Sequence, residues 1–133
     1  MKPLYYLFIS LIFVLSCSKN NNEKSNQNIT GKWKQVAFYN SNGGSTPIWN
    51  QVDNGYTIEF LNNGKFISTK HSECTTGDFI LTTNNQISMT YNCSSFKNNF
   101  IEAIEMNTIS ELVLKPSYKE CDEGCSVKFI KIK

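Results

Sequence analysis

The chain has 133 residues with 13 basic and 11 acidic side chains, a formal net charge of +2. That balance provides no basic surface large enough to neutralise nucleic-acid phosphates, so nucleic acid is not an expected partner. The length accommodates one hydrophobic core rather than two.

The first residues read as an address. Lys2 supplies a positive charge, and residues 4–15 (LYYLFISLIFVL) form an apolar run broken by Ser10 alone. The run is too short to span a bilayer, which takes about 20 residues, and has the length of a signal-peptide core. It ends in Val14-Leu15-Ser16-Cys17, which resembles the bacterial lipobox. The resemblance implies cleavage after Ser16 and a lipid, diacylglycerol with an added acyl chain such as palmitate, on Cys17. Residues 1–16 are therefore expected to be a lipoprotein signal peptide. The protein would then be held at the bacterial cell envelope, in the outer membrane on its periplasmic face or at the cell surface. Two other readings are ordinary signal cleavage near the same place, and Cys17 as a spare structural thiol. Against the second, Cys17 follows the apolar run directly and leaves four cysteines downstream, the even number that disulfides require.

Residues 17–29 are expected to be a lipidated cysteine and a polar tether. Residues 18–28 (SKNNNEKSNQN) contain no apolar side chain that could offset the entropy of ordering. A random coil of that length spans roughly 20 Å.

From residue 30 to 133 no apolar repeat of helical period is sustained. Short β-branched and aromatic runs alternate with Asn and Gly turns. This predicts an all-β domain with eight strands, at 31–39, 56–61, 65–72, 78–82, 86–91, 99–106, 111–115 and 125–133. The clearest are Tyr56-Ile58-Phe60 alternating with Thr57 and Glu59, and Ile87-Met89-Tyr91 alternating with Ser88 and Thr90. Asn62-Asn63-Gly64 and Thr83-Asn84-Asn85 are tight turns, and residues 107–110 are short as well. Segments 40–55, 73–77, 92–98 and 116–124 are longer. In an antiparallel up-and-down barrel the short turns then gather at one end and the long loops at the other.

The four downstream cysteines fall on the long-loop end. In an oxidising compartment they should pair, with Cys74–Cys93 and Cys121–Cys125 favoured among three connectivities. A four-thiolate zinc site is the alternative. No other metal or cofactor motif is present, and neither metal nor cofactor is expected. Catalysis has few candidates. His71 is the single histidine, read as a solvated strand end, and Glu102 and Glu105, three residues apart, lie on opposite faces of their strand. No enzymatic activity is expected. The 40–55 loop carries Trp49 amid polar residues, a candidate lid or ligand contact at the open end, although packing over the core is the plainer fate.

Gly31-Lys32-Trp33, opening the first strand after a lipoprotein leader, resembles the Gly-x-Trp that begins lipocalins. With the Phe60-Leu61-Asn62-Asn63-Gly64-Lys65-Phe66 hairpin, Thr76-Gly77-Asp78-Phe79 and the closing Val127-Lys128-Phe129-Ile130-Lys131, residues 30–133 resemble the small lipocalin-like domain lipoproteins of Bacteroidetes. The resemblance implies an eight-stranded barrel whose closed end is plugged by Trp33. The chain lacks the family's Thr-Asp-Tyr and the arginine of the last strand, whose place over the indole Lys131 or Lys133 could take. In function the resemblance implies a membrane-anchored, monomeric binding protein for a small apolar ligand. The alternative is an envelope lipoprotein that binds another protein, as an inhibitor of lysozyme or a protease does, or as an accessory subunit.

Overall fold

The computed structural model describes residues 28–40, 48–96, 99–117 and 125–133. The leader, Cys17 and most of the tether lie outside them. So do Cys121 and parts of three long loops.

The described residues contain nine strands: β1 (Gly31–Asn40), β2 (Ile48–Gln51), β3 (Thr57–Phe60), β4 (Lys65–Ser68), β5 (Thr76–Leu81), β6 (Gln86–Tyr91), β7 (Asn99–Asn107), β8 (Glu111–Pro116) and β9 (Cys125–Lys131). From β3 to β9 each strand pairs antiparallel with the next, and β9 returns to pair with β1. The result is a closed eight-stranded antiparallel barrel with one extra strand, β2. All eight expected strands are present, with ends moved by a few residues. The largest change is at β4, which stops at Ser68, four residues short of the expected end.

The barrel closes because apolar residues alternate along its strands. Ile58 and Phe60 of β3, Phe66 of β4, and Ile87, Met89 and Tyr91 of β6 are buried in one cluster with Trp33, Ile104, Leu112, Leu114 and Phe129. Each fully buried large side chain contributes about 1.5–3 kcal/mol relative to its exposed state. Gly77 on β5 is required by this packing, since a Cβ there would stand 2.5 Å from the Phe66 ring. Its bare backbone gives that ring its place.

The short turns close one end. The Leu61 N–H donates to the Lys65 carbonyl at 2.8 Å, Thr82 to Gln86 at 2.8 Å, and Thr108 to Glu111 at 2.8 Å. Trp33 plugs this end with no exposure, its Nε1–H donating to the Ile29 carbonyl at 2.8 Å. Ile29, assigned to the tether by sequence, is itself buried in the core, so the packed unit begins there. The Lys131 ammonium lies 5.2 Å from the indole centroid, the position considered for it from sequence. Gly31 has φ +126°, and a Cβ on it would meet Lys131 Cε and the Lys133 carbonyl oxygen at 2.6 Å. Only glycine enters the barrel this way.

β2 was not expected. It pairs with residues 37–40 of β1, beyond the stretch 31–34 that pairs with β3. Its four residues are mostly exposed, so no alternation of apolar and polar side chains marks them in the sequence.

Candidate functional site

Two loops at the open end are stapled together. Residues 71–74 form a turn in which the Cys74 N–H donates to the His71 carbonyl at 3.2 Å, and residues 93–96 form another with Phe96 donating to Cys93 at 3.2 Å. A Cys74–Cys93 disulfide joins them, with the Cα atoms 5.9 Å apart. Their sulfurs are thus bonded to each other rather than free as thiolate ligands. Cys125 is also disulfide-bonded, and its expected partner, Cys121, lies outside the described residues.

The staple holds an aromatic rim. His71 lies 4.4 Å from the Phe96 ring and 5.3 Å from Tyr91, centroid to centroid. Tyr91 in turn meets Phe66, Phe96 and Phe100 at 5.0–5.7 Å. Such pairs contribute about 0.5–1.5 kcal/mol each beyond the area they bury. His71 is therefore a member of the rim stack rather than the solvated strand end its position suggested. Burial first, and the Lys70 charge second, hold its imidazole below the ordinary value of 6.5.

Inside the rim lies a cleft. Tyr56, Ser68, Lys70, His71, Tyr91, Phe100 and Glu102 form its upper walls, and Ile58, Met89, Leu114 and Phe129 its apolar remainder. The cavity volume is about 10 Å³, the room that one water requires. Among the described residues, Trp33, Phe60, Phe66, Ile87, Leu112 and Phe129 fill the interior with at most 1% exposure.

Glu102 is the unusual wall. It points inward from β7, is only 7% exposed, and accepts no hydrogen bond from the described residues. Burial raises its pKa above the ordinary 4.5, and the charge of Lys70 opposes that rise. Lys70 itself sits over the Tyr56 ring, its Nζ 5.6 Å from the centroid. Above Ser68, Lys70 N–H donates to the Ser68 hydroxyl at 3.2 Å, and that hydroxyl also bonds the Tyr91 side chain. Burial raises the Tyr91 phenol above 10.

Glu105, on the opposite face of β7, accepts a 2.7 Å hydrogen bond from Ser126 and faces Lys115 at 3.8 Å. The two glutamates thus part as their spacing requires. What the sequence did not reveal is that the inward one would be buried, because inward and outward faces carry no label in a strand flanked by Ile101, Ala103 and Ile104.

Trp49 is not among the residues lining this cleft. On β2 it packs beside Tyr39, ring centroids 5.4 Å apart, and the Lys128 ammonium lies 4.9 Å from its centroid. Lys128 alternates with Val127 and Phe129, which face the core, so this cluster is on the outside of the barrel. Gly31 and Trp33, by contrast, occupy the closed end.

Among the described residues no group of three or more His, Cys, Asp or Glu side chains is placed to hold a metal ion. Comparison with protein-family models, with curated proteins and with solved structures finds no match to this chain.

Proposed function

We propose that the protein is a lipid-anchored, lipocalin-like binding module of the bacterial cell envelope that engages another protein through its open rim, and is not an enzyme. The observation that carries this reading is the filled interior. Trp33, Phe60, Phe66 and Phe129 have at most 1% exposure, and the mouth cleft has a volume of about 10 Å³. A drug-sized apolar ligand occupies a pocket of about 300–1,000 Å³, which here would require core side chains to vacate their places. A small apolar ligand was the first expectation from sequence and a protein the alternative, and the packing favours the alternative. The rim suits docking, since loops stapled by Cys74–Cys93 lose little further entropy on binding.

The anchor supports the same reading. β1 begins at the closed end, so a chain arriving from a lipidated Cys17 enters there and the rim points away from the membrane. Anchor, tether and barrel would together present the rim to soluble or neighbouring envelope proteins.

The test is capture from solubilised envelope followed by native mass spectrometry. A partner lost when a bulky residue is placed on the rim (Ser94→Trp), yet retained when the same residue is placed on a closed-end turn (Asn62→Trp), is the expected result. A stoichiometric apolar small molecule retained by the purified protein would overturn the reading.

A further inference from the structure

The mouth cleft combines three features that each bear on the same ligand chemistry. One wall carries Glu102, a residue more than nine-tenths buried whose carboxylate accepts no hydrogen bond from the described residues and meets the cleft. The space in front of it has the volume of one water. Its walls are the aromatic rings of Tyr56, Tyr91 and Phe100, and the chain's own Lys70 ammonium already rests over one of them at 5.6 Å.

We propose that this cleft is a receptor for a primary ammonium group, presented by a lysine side chain of the protein partner, which pairs with Glu102 between the rings. The inference rests on the protein-binding reading for the source of the amine. An ammonium is a compact point charge that fits where one water fits, whereas a planar guanidinium does not. A buried carboxylate is costly when unpaired and is relieved by a hydrogen-bonded cation. Aromatic faces offset part of the desolvation of the incoming charge. Burial holds the Glu102 pKa high, and a cation set against it opposes that rise, as the charge of Lys70 does in part. Lys70 supplies a partial stand-in. Its charge reaches Glu102, yet the two form no ion pair among the described residues, and its exposed position at the rim leaves it free to swing aside.

Titration of the mature, disulfide-bonded protein with n-butylammonium at fixed ionic strength, read by the NMR shifts of the Tyr56 and Tyr91 rings, tests this. Butylammonium should bind saturably, and butylguanidinium and butanol at least tenfold more weakly. Lys70→Met, which removes the competing cation, should tighten butylammonium several-fold, and Glu102→Gln should weaken it at least tenfold. The probe comparison on the unmodified protein stands even if the Glu102 variant misfolds. Equal response to butanol and butylammonium, or no saturable binding to the Lys70→Met protein, overturns the proposal. A partner captured at the rim whose binding is indifferent to both butylammonium and Glu102→Gln also overturns it, while leaving the protein-binding reading intact.

Discussion

The closed and open ends of the barrel meet the same requirement, covering a core, with opposite materials. At the closed end Trp33, Ile29 and the stem of Lys131 seal the interior, and the one polar atom of the plug, the indole N–H, is satisfied by the Ile29 carbonyl. At the open end the interior finishes in Ser68, Tyr91, Lys70, His71 and Glu102, and a disulfide rather than a plug holds the loops. An end whose buried groups are all satisfied has no free valence for a partner. An end whose enclosed carboxylate accepts no hydrogen bond from the described residues and meets the cleft keeps its lone pairs for a partner.

The contrast between the ends breaks first if the closed end is not the stabilising one. Trp33→Ala should cost about 3–5 kcal/mol, the range for deleting a large buried aromatic. Denaturant unfolding checks this, and the same variant, where it folds, should still take butylammonium at the mouth. Replacing Cys74 and Cys93 together by serine comes next. In the chain-entropy description a loop of this length contributes about 3 kcal/mol. The loss should appear in thermal unfolding and should also weaken partner binding, because it frees the rim.

A third variant separates stability from function. The raised pKa of Glu102 means that the folded state holds its proton better than the unfolded chain. Stability is therefore lost as pH rises from the ordinary 4.5 through the raised folded value, and the penalty is complete above it. Glu102→Gln escapes that penalty. Its melting temperature should match the parent's below about pH 4 and exceed it at pH 8. His71 works in the other direction, since its lowered pKa removes stability as pH falls below 6.5, so the difference between parent and Gln variant isolates Glu102. A variant less stable at pH 8 would mean that Glu102 is a structural residue, and the contrast between the ends would fail.

The closed end was legible in the sequence, and of the open end only the disulfide was, for a physical reason. Gly31 and Trp33 are fixed by backbone strain and volume, which one residue type satisfies, and the turns at 62–64 and 83–85 require Asn and Gly for the same kind of reason. Pairing of Cys74 with Cys93 was legible from topology. Glu102 and His71 are chosen by neighbours that arrive from β4, β6 and the loops after them, so nothing local marks them. β2 was missed because four exposed residues carry no period, and its one large side chain, Trp49, suggested a lid from a position on the outer wall.

That outer cluster gives the smallest effect and the sharpest control. Lys128 contacts the Trp49 ring at 4.9 Å and also faces Glu111 at 3.9 Å, so removing the lysine alone mixes two losses. A double-mutant cycle with Lys128→Met and Trp49→Leu cancels the second and leaves the coupling between ammonium and ring, about 0.5–1 kcal/mol for a site of this exposure. Hydrogen exchange should quicken at the β2 amides in both single variants, because the strand is held to β1 by few other side chains. Butylammonium affinity at the mouth should not change in any of the four proteins. If it does, the outer wall and the rim are coupled through β1, and Trp49 regains the part in binding that its loop first suggested.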